Sequence, residues 1–242
     1  MAAMHRPISR RGQLTRVVLA SYALLCGWPC AQAACETSFV KSVLAQHGGA
    51  DVLAQISELR WTGHAVIHGE RAPFEIRVRT TVVPFMSAHS ESWLRTEDAS
   101  NSRVMIIERE RGWLERNGKR TPMPAAMFEH ERAQFAIYGL MLLAPICDQA
   151  TKVDEDTNAR SIVVSHPHAP TTTLFFDRVG DLVRARNSVP SAEGGGLIEQ
   201  EFRFSDERVP GPIHWPRTIR IRQNGKPYFD LTFEEFEAVT QR

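Results

Sequence analysis

No hydrophobic run in these 242 residues is long enough to cross a bilayer. The strongest, residues 17–28, falls short of the roughly 20 that a spanning helix needs. A surplus of charge of one sign is also missing, with 29 Lys and Arg against 28 Asp and Glu. That balance argues against nucleic acid as a partner, because phosphates demand a clustered excess of basic side chains. No G-x-S-x-G, H-E-x-x-H, P-loop or G-x-G-x-x-G motif occurs, which argues against the commonest enzyme classes. Carboxylate pairs of the glycosidase kind need proximity in space rather than in sequence, so they stay open. Internal repeats and linkers are absent too, and residues 34–242 are expected to form a single domain with a substantial core. No cofactor or metal is expected.

What is present begins with an address. Residues 1–33 carry Arg6, Arg10, Arg11 and Arg16 and no acid, then the apolar run, then Ala31-Gln32-Ala33. A basic start, a short apolar centre and an A-x-A end make a secretory signal peptide. Ser9-Arg10-Arg11-Gly12-Gln13-Leu14 resembles the twin-arginine export motif, with Gln13 where an aromatic is usual; an ordinary secretion signal is the plainer reading. Either route leads to the periplasm, and once residues 1–33 leave, acids outnumber bases.

Of four cysteines, Cys26 and Cys30 leave with the signal, and Cys35 and Cys147 stay. Two cysteines in an oxidising compartment predict one disulfide. The alternative is lipidation of Cys35, since Gln32-Ala33-Ala34-Cys35 partly matches a lipobox; that would anchor the chain to a membrane and leave Cys147 unpaired.

Patterning then separates a short helical start from a long β region. A helix is predicted over 36–46, with Thr37 or Ser38 as cap and Phe39, Val40, Val43 and Leu44 inward. Gly48-Gly49 stops it, and a second short helix follows over 50–56. From Leu59 the period becomes two: Leu59, Trp61, Gly63, Ala65 and Ile67 alternate with Arg60, Thr62 and His64. Asn117-Gly118 and Asn224-Gly225 each sit between alternating segments and predict type I′ hairpins. Residues 124–144 lose the alternation and read as a helix. About ten strands in hairpin order make an antiparallel sheet. A sheet that wide, apolar on one face, must curl. The predicted fold is therefore mainly β: a curved antiparallel sheet forming an unclosed half-barrel, with a few helices plugging or lidding its concave face.

This order of parts is similar to bacterial outer-membrane lipoprotein-sorting proteins of the LolA-like superfamily. The residues that carry the likeness are Gly48-Gly49, Leu59-x-Trp61-x-Gly63 and Gly112-Trp113 before Asn117-Gly118. The helix ending near Pro145 and Trp215-Pro216-Arg217-Thr218-Ile219 add to it. The resemblance implies an open barrel with a helical lid and an apolar cavity for acyl chains. It transfers no individual ligand-contacting residue.

Candidate chemistry is sparse. His166-Pro167-His168 reads as a strand end entering a loop, because no further ligands stand at metal-binding spacing. Asp154-Glu155-Asp156 lacks the glycine and distal Glu of an EF-hand and reads as a solvated turn. Asp177-Arg178-Val179-Gly180-Asp181 reads as a hairpin turn. The apolar residues Phe135, Ile137, Tyr138, Leu140, Met141, Leu142 and Leu143 crowd more than one helix face. Such a helix is either a core plug or a lid that meets ligand. Candidate contacts for a hydrophobic ligand are Trp61, Phe74, Trp93, Trp113, Phe135, Leu140 and Leu142.

The favoured function is a non-catalytic periplasmic binder or carrier of a lipid, a lipoprotein acyl chain or a similar hydrophobe. A membrane-associated protein is the candidate donor or acceptor. An envelope interaction or stress-sensor domain on the same fold is the alternative, and a periplasmic hydrolase the third.

Overall fold

The computed structural model describes residues 35–69 and 72–241. The predicted signal peptide, with Cys26 and Cys30, lies outside these residues. Helix α1 spans Ser38–Gln46, starting later than expected because Thr37 is its cap: its Oγ1 accepts from the Val40 N–H at 3.2 Å. Phe39, Val40, Val43 and Leu44 are buried as the pattern requires. Gly48 and Gly49 take φ of 121° and 91°, which side chains disfavour, and end the helix. Helix α2 is only Ala50–Ala54. Ile56, expected in that helix, instead opens the sheet, because it pairs with Thr240 from the far end of the chain.

The strands are β1 Ile56–Ile67, β2 Phe74–Val83, β3 Ser87–Leu94, β4 Arg103–Ile107, β5 Gly112–Arg116 and β6 Lys119–Pro122. After helix α3 (Ala125–Met141) come β7 Lys152–Asp156, β8 Ser161–Ser165, β9 Thr172–Phe176, β10 Leu182–Pro190, β11 Leu197–Phe204, β12 Thr218–Gln223 and β13 Lys226–Thr240. They form one 13-stranded sheet in the order β6-β5-β4-β3-β2-β1-β13-β12-β11-β10-β9-β8-β7. Every neighbour is antiparallel, and β6 and β7 are free edges, so the barrel is not closed. Every pairing joins strands next to each other in sequence except one. In the middle of the sheet β1 lies against β13.

Both Asn-Gly pairs sit at hairpin tips with positive φ, Asn117 at 52° and Asn224 at 47°, as predicted. The segment 177–181 is also a hairpin turn, where the Asp177 carboxylate accepts from the N–H groups of Val179, Gly180 and Asp181. His166 follows the end of β8, as expected. Asp154-Glu155-Asp156 is not a turn: it belongs to edge strand β7, paired with β8. Its acids keep the free edge polar, and that edge chemistry is why the segment reads as a loop.

Helix α3 lies against β2 and β4 in one half of the sheet and β10 in the other. It ends at Met141, earlier than predicted. Leu143 turns left-handed at φ 61°, and a 3-10 turn, Ala144–Cys147, follows. The helix is fastened along its length. His130 Nδ1 lies 2.7 Å from the Pro190 carbonyl, and Gln200 donates to Gln134 Oε1 at 3.0 Å. Near its end Gly139 admits the Phe85 ring, 2.6 Å from where a Cβ would stand. Cys35 and Cys147 form a disulfide with 5.4 Å between Cα atoms, joining the approach to α1 to the turn after α3.

Candidate binding cavity

The inner sheet face is continuous core on the β8–β12 side, where Ile162, Leu174, Phe202 and Ile219 are fully buried. On the β1–β4 side it is not filled. There α3 and the sheet enclose a cavity of about 300 Å³, at the small end of the range for small-molecule sites. The reason is local. Strand β3 presents Ser90 and Ser92 inward, opposite Thr80 and Val78 of β2 and Met105 and Arg103 of β4. Small side chains in that row leave a void beneath the helix.

The helix wall is a single stripe, Met127, Glu131, Gln134, Phe135 and Tyr138, at the three- and four-residue spacing of one helix face. The sheet wall is Trp61, Ile67, Ile76, Val78 and Leu231, with Tyr228 and Phe229 of β13 beside them. Trp61 packs on Tyr138 at 4.8 Å and on Phe233 at 5.7 Å between ring centres, which sets the floor. The surroundings are apolar apart from a few anchors. Thr80 and Ser90 hydroxyls bond each other at 2.9 Å. Glu131 is 92% shielded from solvent yet faces the cavity, and among the described residues nothing hydrogen-bonds its carboxyl. Burial pushes that carboxyl above the ordinary range, against the pull of His130 and Arg103. Burial, with Glu131 nearby, likewise pushes the Tyr138 phenol up, and the Tyr228 phenol up to about 12. Arg103, exposed, stands where the cavity meets water.

The residues proposed from sequence fall into three places. Trp61 and Phe135 line the cavity. Phe74 pairs with Ile67 on the same sheet face and is 45% exposed, so it stands at the rim. Trp93 and Trp113 are on the opposite face: they alternate with the inward Ser92 and Leu114, and Arg79 and Arg111 cover their rings. Leu140 and Leu142 are buried in the core away from the cavity. Sequence reading missed Glu131, Ser90 and Ser92. The inward period of β3 carries the serines, whereas Trp93, the large apolar residue of that strand, lies on the other face.

A second polar cluster lies near the other end of α3. His47 stacks on His214 at 5.0 Å, and Asp181 receives a two-pronged bond from Arg208 at 2.8 and 3.1 Å and another from Gln46. His214 Nδ1 is 3.1 Å from Asp181 without the alignment of a hydrogen bond. Ser205 is close, but its hydroxyl donates to the Glu207 carbonyl rather than to an imidazole, so no activated nucleophile results. Burial holds both imidazoles low, His214 at about 4. They fold neutral, so the unfolded chain binds more protons below its pKa of 6.5. Stability is fully present above that value and falls as pH drops toward about 4. Urea midpoints taken from neutral to mildly acidic pH should show this decline, and His214→Asn should flatten it.

Among the described residues no helix is long and apolar enough to cross a membrane, and no cluster of metal-ligating side chains forms. No protein-family model and no curated protein matches the chain. Solved structures do. An outer membrane lipoprotein-sorting protein domain from Vibrio parahaemolyticus superposes with a TM-score of 0.48 at 8% identity, over 82% of this chain and 90% of that one. A LolA superfamily protein from Nitrosomonas europaea gives 0.47 at 11% identity, covering 83% and 94%. A DUF1329 family protein from Desulfovibrio piger gives 0.49 at 9%, covering 84% and 94%.

Proposed function

We propose that this chain is a non-catalytic binding or carrier protein for one hydrophobic or amphipathic molecule, a lipid or a lipoprotein acyl chain, held beneath α3. The observation that carries this reading is the largely apolar cavity of about 300 Å³ between α3 and β1–β4. Each methylene moved from water into such a space gains about 0.8 kcal/mol, so an alkyl chain binds without any charged chemistry. Trp61 and Phe135 are the proposed contacts, with Phe74 at the rim. Tied at His130 to Pro190 and at Gln134 to Gln200, α3 serves as one wall of the site rather than as a free lid.

The proposal includes export of residues 34–242 as one domain to the periplasm after removal of the leader, and a membrane-associated donor or acceptor. Native mass spectrometry of protein produced with its leader, repeated after denaturation, tests it. A native mass exceeding the denatured one by a lipid's mass is expected. Protein that stays ligand-free in the presence of membrane lipid would argue for the interaction-domain alternative.

A further inference from the structure

Within that reading, we propose that the cavity selects a single-chain amphiphile with a carboxylate head, gripped between the buried Glu131 and Arg103. The grounds are geometric. Glu131 is 92% buried as a residue, and its carboxyl, without a protein hydrogen bond, faces a largely apolar cavity, a costly arrangement that a ligand with a polar head would complete. Facing the same space from β4 is Arg103, whose guanidinium suits an anionic head. The cavity's remaining polar groups are mostly hydroxyls, on Tyr138 of the helix, Tyr228 of β13, Thr80 of β2 and Ser90 and Ser92 of β3, with the Gln134 amide beside them.

The charges around Glu131 come from few elements. On its own helix His130, engaged with Pro190, acts on it, and Glu131 in turn acts on Tyr138. Arg103 faces it from β4 and Tyr228 from β13, while the lining residues of β1, β2 and β3 carry no titratable side chain. Burial pushes the Glu131 carboxyl above the ordinary carboxylate range and so favours its protonated form. One proton is then shared by two carboxyls: Glu131 O–H donates to the ligand's carboxylate, a short charge-assisted bond. When pH rises and that proton leaves to solvent, two carboxylates confront each other and the ligand is expelled. An ammonium head would show the reverse, binding better as Glu131 ionises. The cavity's small size fits one chain and not several.

Calorimetric titration of the folded protein with dodecanoate, dodecanol and dodecylamine, from mildly acidic to mildly alkaline pH, tests this. Dodecanoate affinity should fall about tenfold or more across that range in the wild type, with a clearly smaller fall in Glu131→Gln. Arg103→Gln should weaken dodecanoate about tenfold and leave dodecanol unchanged, and it serves should Glu131→Gln fail to fold. Dodecylamine binding tightest and strengthening with pH would overturn the proposal. So would equal binding of dodecanol and dodecanoate, with no response to either variant; that result would leave the hydrophobic cavity standing. If no alkyl probe binds, both this proposal and the binding function fall.

Discussion

Replacing Cys35 and Cys147 by serine should lower the unfolding free energy by about 3–5 kcal/mol, the loss expected for opening a loop of this length. The bridge spans 112 residues of sequence, so the unfolded chain gains a large amount of freedom when it is cut. In the folded protein it fixes the entry to α1 against the turn that follows α3, two segments with no strand of their own to hold them there. Denaturant titration of the double variant beside the oxidised protein gives the difference. Treating the wild type with dithiothreitol should shift its midpoint to that of the variant. If Cys35 carried a lipid instead, reduction would leave the midpoint where it was.

Gly63→Ala should cost at least about 3 kcal/mol and is expected to prevent folding in a weakly stable background. A Cβ at Gly63 would stand 2.2 Å from the Thr232 carbonyl oxygen, a backbone atom that no rotamer change can move. The site is where β1 and β13 slip register: Thr62 faces Glu235 and Gly63 faces Phe233, so β13 carries the extra residue. The bulge bends the two longest-paired strands and brings β13 close over the glycine. The same change at Gly211, where nothing lies within 4 Å, should move stability by less than about 0.5 kcal/mol. Thermal melts of the two variants decide it. Equal effects at both positions would mean that β1 and β13 can separate at the bulge without cost.

Most of the sheet was readable from alternation alone. In Thr172–Phe176 and Thr218–Gln223 buried residues alternate with less buried ones, the period that alternation follows. The edge strand Lys152–Asp156 was not readable, since a strand with one free side and acidic side chains offers no apolar period to follow. The site was half legible. Trp61 and Phe135 are large apolar residues on inward positions, and periodicity finds those. A cavity, however, is made by what is missing, and Ser90 and Ser92 mark it only once their strand is set against its neighbours. Glu131 was invisible for a different reason. Beside Glu129, His130 and Arg132 it looks like part of a solvated helix face, and only the packing of α3 shows that it points inward.

The placement of β13 beside β1 has a bearing on how the molecule is made. All other strand pairs join near neighbours in sequence and can zip up as the chain lengthens, whereas this pairing waits for residues 226–240. Until then the two meanders have no strand pairing between them, and α3 is the element that packs against both. A growing chain therefore acquires its central seam only when its last strand arrives, and the sheet stays in two pieces until that moment.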